Sequence, residues 1–202
     1  MKNTIIRFLL FVFAVAAVAY PLYVRLSTLQ WSANAQVILN NSFPLFGLTA
    51  FSLLWLHAMS GVFEPWLRQV INFDWFVRVT ASLILLCILC HPVLLLMLFS
   101  LNVKAILVTY GTFYIVLGFV GWCLLMLYDL AKPSSRKGGF WAKHWHKVLL
   151  VSNIGFLITF FHSLNLGSDL QSGPLRTIWI FYGITAFAAI IYTYGLRRFL
   201  SR

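Results

Sequence analysis

Two of the chain's five histidines stand inside long apolar stretches, where an imidazole must find partners for its ring nitrogens. His91 lies in Val77 to Phe99 (VRVTASLILLCILCHPVLLLMLF), and His162 lies near the far end of His146 to Leu166 (HKVLLVSNIGFLITFFHSLNL). Counted from the inner ends of these stretches, His91 is ~21 Å and His162 ~24 Å along the helix axis, in a hydrocarbon core ~30 Å thick. Both helices are expected to run from inside to outside. The two rings are then level within about one turn, in the outer half of the membrane. Paired neutral imidazoles are the axial ligands of a low-spin, electron-transferring haem iron. The plainer reading is that each histidine hydrogen-bonds a neighbouring helix. Pro92, directly after His91, removes one backbone hydrogen bond and can bend the helix that aims the ring.

The other histidines are placed differently. His57 falls about 13 residues into a helix running the opposite way, which puts it ~20 Å from the outer face, in the inner half. It reads first as a packing histidine, with a second, inner haem site as the alternative. His144 and His146 sit in a basic inner loop, and His146 could join an inner site only if that loop folds back. Cys87-Ile88-Leu89-Cys90-His91 matches the C-x-x-C-H pattern of covalent haem attachment. That chemistry belongs to soluble, extracytoplasmic segments, so a match inside an apolar helix is read as chance. All three cysteines fall in apolar stretches, which argues against a disulfide framework.

The elements that must position these residues are membrane helices. The chain is 61% hydrophobic and 9% charged, against roughly 45–50% and about 25% in soluble domains. Six spans are predicted, at about 5–24, 44–62, 77–99, 106–130, 147–166 and 175–196, each near the ~20 residues a bilayer requires. The fold class is thus an all-α integral membrane protein, one six-helix bundle over residues 1–202. The net charge of +11 is a topology signal rather than a nucleic-acid one. With both termini cytoplasmic, twelve of the fifteen basic residues fall inside, and Arg25, Lys104 and Arg176 fall outside.

In chain order, the start (MKNTIIRFLLFVFAVAAVAY) has the make-up of a signal peptide, but its apolar run continues to Leu22 and is expected to remain as an uncleaved first helix. Arg25 to Phe43 reads as a polar outer loop with a short interfacial piece around Trp31. Span two follows Pro44 and stops at Glu64-Pro65-Trp66; the short loop to Trp75 makes spans two and three antiparallel neighbours. Gly111, Gly118 and Gly121 in span four allow close approach of a helix or of a flat ring. The basic stretch from Ala131 to Lys147 suits anionic lipid headgroups or an acidic electron-donating partner. No internal repeat, phosphate loop or dinucleotide fingerprint stands out.

Leu89-Cys90-His91-Pro92, Phe140-Trp141 and His162 followed by Gly167-Ser168-Asp169 resemble motifs of the ferric reductase-like transmembrane family. The resemblance spans about Gly47 to Gly195. That family includes the membrane parts of NADPH oxidases and the haem subunit of a bacterial methionine sulfoxide reductase system. It implies two stacked haems held by two histidines per helix, 13 or 14 positions apart. Here Val77 and Leu149 occupy the inner ligand positions, so the outer pair is kept and the inner pair is missing.

The expectation is therefore one haem b held by His91 and His162, with His57 and His146 as candidates for a second site. The chain would sit in the plasma (inner) membrane of a bacterium. It would pass electrons from quinol, or from a partner flavoprotein reductase, to an extracytoplasmic redox partner. No flavin or nicotinamide domain is readable in it. The rival is a haem-free membrane scaffold or assembly partner that has lost electron transfer. A small-molecule transporter would need charged or broken midplane helices, which the sequence does not offer.

Overall fold

The structure, a computed structural model, describes residues 2–30, 32–135 and 137–197. Trp31, the centre of the expected interfacial piece, and the basic residues Arg136, Arg198 and Arg202 lie outside the described residues. Helices make up most of the described chain, no strand occurs among the described residues, and six of the helices are long and apolar enough to cross a membrane. It is a multi-pass membrane protein, as its composition requires. The helices group into two compact units, Met1–Leu101 and Asn102–Arg202.

Unit 1 contains α1 (Lys2–Ser27), α2 (Ala35–Val62), the short α3 (Glu64–Val70) and α4 (Phe73–Leu98). α2 starts nine residues before the expected boundary at Pro44. Asn34 caps it, its side-chain oxygen accepting from the Gln36 N–H at 2.8 Å, so the supposed outer loop is largely helix. Pro44 lies inside that helix and has no N–H for the carbonyl of Asn40. The Arg25 guanidinium donates to this oxygen instead, at 3.1 Å. At the other end α2 stops at Val62, and Pro65 opens α3 in the first turn, where a missing N–H costs nothing. Asn72 caps α4 by accepting from the Trp75 N–H at 3.1 Å. α2 and α4 pack along each other over a core that includes Phe51, Trp55, Ile84 and Ile88. α1 packs on α2 through few of its residues, and Phe8 and Phe11 remain 64% and 68% exposed, as lipid contact demands.

Unit 2 contains α5 (Val103–Tyr110), α6 (Thr112–Ser135), the short α7 (Phe140–Lys143), α8 (Trp145–Leu166) and α9 (Gly173–Ile191), which continues through a wider π turn at Tyr192–Leu196. The span expected as one helix over 106–130 is broken between α5 and α6. Gly111 at the break has φ +83°, a conformation that only glycine adopts without strain. α6 and α8 are the intimate pair of this unit, brought together at Gly121 and Gly155. A Cβ on Gly155 would stand 2.8 Å from the Leu124 Cβ and 2.9 Å from the Gly121 carbonyl oxygen. α9 covers α8 with the fully buried Trp179.

Candidate functional site

In unit 1, His91 projects from α4 onto α2. Its Nδ1 lies 2.7 Å from the carbonyl oxygen of Phe43. A carbonyl can only accept, so Nδ1 carries the proton and donates, and the neutral ring keeps its lone pair on Nε2. One turn further along α2, the ring rests on Gly47, where a Cβ would stand 3.0 Å from both Nδ1 and Cε1. The Phe43 ring is tilted against the imidazole, with centroids 5.6 Å apart.

Unit 2 builds the same arrangement from different residues. His162 projects from α8 onto α6, and its Nδ1 donates to the Tyr114 carbonyl oxygen at 2.8 Å. One turn along α6 the ring meets Gly118, where a Cβ would stand 2.4 Å from Nδ1 and 2.5 Å from Cε1. At the next residue of α8, Ser163, the Oγ accepts from Trp179 Nε1 at 2.9 Å and donates to the Phe160 carbonyl at 2.9 Å. The buried indole and the serine beside the histidine are both satisfied.

The two units thus repeat each other at an interval of 71 positions. Phe43 corresponds to Tyr114, Gly47 to Gly118 and His91 to His162. Each histidine follows its acceptor by 48 residues. The helix irregularities obey the same register, since Asn40, the carbonyl that Pro44 leaves over, corresponds to Gly111 at the α5–α6 break. This repeat does not stand out in the sequence because intervening positions differ in size and polarity, such as Trp55 against Met126 and His57 against Tyr128. Gly118 lies against the His162 ring of the neighbouring helix, and Gly121 against that helix's Thr159 and Gly155. Gly47 and the two carbonyl acceptors were not foreseen, because backbone acceptors leave no mark on side-chain type.

The remaining histidines lie elsewhere. His57 Nε2 is 2.5 Å from Thr80 Oγ1, whose own proton goes to the Phe76 carbonyl at 2.7 Å. His57 therefore donates through Nε2, the opposite tautomer to His91 and His162, and its ring packs on Phe76. His146 lies against Tyr194 in the π turn, with ring centroids 4.9 Å apart. Asn153 joins them by donating to the Tyr194 hydroxyl at 3.1 Å. His144 donates to the Phe140 carbonyl at the exposed end of α7. Cys87, Cys90 and Cys123 are free thiols.

The hydrogen-bonding chemistry at His91 and at His162, each taken within its own unit, is that of a ligand imidazole. Histidine ligands to a metal generally donate their second ring N–H to a carbonyl or carboxylate, which fixes tautomer and orientation, and both rings do so here. Among the described residues no three His, Cys, Asp or Glu side chains converge, so the donors available are single histidines rather than a multidentate cage. Comparison of the chain with family models, curated proteins and solved structures finds no significant match.

Proposed function

We propose that the chain is a b-type haem membrane protein whose axial ligands are His91 and His162. The observation that carries this reading is the repeated seat: two histidines, one in each unit, with the same Nδ1–H bond to a backbone carbonyl and the same glycine beneath the ring. A packing histidine needs a partner for its polar nitrogens. It does not need the same partner type, tautomer and spacing twice. A bound haem would supply one-electron ferric–ferrous cycling. The chain's part is to present two basic Nε2 lone pairs, hold the rings against rotation and surround them with apolar helices that exclude water.

Electrons would enter from quinol in the membrane or from a flavoprotein at the cytoplasmic face, and leave to an extracytoplasmic acceptor. The basic segment from Ala131 to Lys147 supports a cytoplasmic placement of that loop, and with it of both termini, in a bacterial plasma membrane. The rival, a haem-free scaffold related to ferric reductase-like proteins, is favoured by Val77 and Leu149 at the inner ligand positions.

An optical spectrum of the purified protein, oxidised and dithionite-reduced, with haem measured as pyridine haemochrome, separates the two. The expected result is about one haem per chain with a sharp reduced α-band, lost in His91→Ala and in His162→Ala. Normal spectra in both variants, or no haem in protein from haem-replete cells, would overturn the assignment.

A further inference from the structure

Each seat constrains its imidazole at three points. The Cβ–Cγ bond ties the ring to its own helix, the carbonyl of Phe43 or Tyr114 holds Nδ1, and the bare α-carbon of Gly47 or Gly118 forms a wall along the Nδ1–Cε1 edge. A hydrogen bond alone leaves a ring free to swing about its acceptor. A wall beside it removes that freedom. We infer that Gly47 and Gly118 are positioning residues that set the planes of the two axial imidazoles, an inference that rests on the haem reading above. The plane of an axial imidazole decides which iron d orbital its π electrons raise. The protein would therefore fix the electronic structure of the ferric centre through two residues that never touch it.

The two walls differ in tolerance. At Gly47 an added methyl group would stand 3.0 Å from the ring, so a shift of a few tenths of an ångström accommodates it. At Gly118 it would stand 2.4, 2.5 and 2.9 Å from three ring atoms. His162 would then have to leave its seat and surrender the Tyr114 carbonyl. Gly121, three residues along α6, supplies the control. Its added Cβ would meet Thr159 Cγ2 at 2.7 Å and the Gly155 carbonyl at 3.1 Å, a closer approach than at Gly47 but with no histidine atom among its nearest neighbours.

The test uses the full chain in detergent and reads low-temperature EPR of the ferric form, the midpoint potential, haem per chain and carbon monoxide binding. Gly47→Ala is expected to keep its haem, with a displaced low-spin EPR signal and a shifted potential. Gly118→Ala is expected to lose the low-spin signal and to bind carbon monoxide, which the wild type, with both axial positions filled, is expected to exclude. Gly121→Ala is expected to melt earlier while any haem it retains gives the wild-type EPR signal. Wild-type EPR and potential in both Gly47→Ala and Gly118→Ala would overturn the positioning role and leave the haem reading intact. A Gly121→Ala signal displaced as far as that of Gly47→Ala would also overturn it, by reducing the effect to general packing. A wild-type chain without haem would overturn the haem reading itself. If Gly118→Ala does not fold, Gly47→Ala still decides.

Discussion

Units 1 and 2 make one histidine seat by different local means. Above the seat, unit 1 keeps α2 continuous through Pro44 and lets Arg25 satisfy the Asn40 carbonyl, whereas unit 2 breaks the helix at Gly111. Beside the histidine, unit 1 places Pro92, whereas unit 2 places Ser163 and bonds it to the buried Trp179 of α9. At the positions corresponding to Gly121 and Gly155 of unit 2, unit 1 has the buried Ala50 and Ile84. What stays the same is a glycine one turn below a carbonyl, facing a histidine. Elements that vary while the seat persists are scaffold, and the seat is the part under geometric constraint.

This comparison can be broken most forcefully at Trp179, which is 0% exposed and anchors Ser163. Trp179→Ala opens a cavity beside Ser163 and leaves the serine hydroxyl without its donor; the expected cost is about 3–5 kcal/mol, read as an earlier thermal melt in detergent. The reciprocal change in unit 1, Pro92→Ser, restores a helical N–H and should shift the melt far less. Equal losses would mean the two histidine helices are braced alike, contrary to the comparison. Next in size is Gly111→Ala. Alanine at φ +83° is strained by about 1–3 kcal/mol, whereas Pro44→Ala inside the continuous α2 of unit 1 introduces no positive φ. A Gly111→Ala variant as stable as the wild type would show that α5 and α6 can join into the continuous helix seen in α2.

The sequence makes the membrane class and the helices plain, because lipid-facing surface leaves long apolar runs that nothing else produces. His91 and His162 are legible for the same reason: a polar ring stands out against hydrocarbon. The start of α2 is not, since Pro44 reads as a stop and its remedy, Arg25 on the Asn40 carbonyl, comes from a different helix. The break at Gly111 is equally hidden, because a glycine in a membrane helix signals close packing as readily as a turn. The seats themselves depend on backbone oxygens and on a missing Cβ. Their only trace is the shared spacing of Phe43, Gly47 and His91 with Tyr114, Gly118 and His162, which carries meaning once the contacts are known.

A smaller effect is expected in the π turn after α9, where Tyr194→Phe removes the acceptor of one Asn153 hydrogen bond. The loss should be about 0.5–1.5 kcal/mol with the spectrum unchanged, as judged by a melt and a reduced-minus-oxidised difference spectrum.

The smallest effect sharpens the comparison most, because it concerns a histidine that the repeat does not include. The position corresponding to His57 in unit 2 is Tyr128, and that corresponding to Thr80 is Val151, so the His57–Thr80 pair belongs to unit 1 alone. His57 spends its Nε2 proton on a hydroxyl already committed to the Phe76 carbonyl, which leaves its lone pair on Nδ1, the nitrogen crowded by the ring's own Cβ. That is the wrong nitrogen for an axial ligand built like the two seats. His57→Leu should therefore leave haem per chain and the α-band unchanged, since it removes the bond to Thr80 and substitutes apolar volume within a helix pair. Loss of a haem in His57→Leu would mean that the ring turns over to present Nε2 to a second, inner iron. The seat with a carbonyl and a glycine would then no longer set the two histidines proposed as ligands apart from His57.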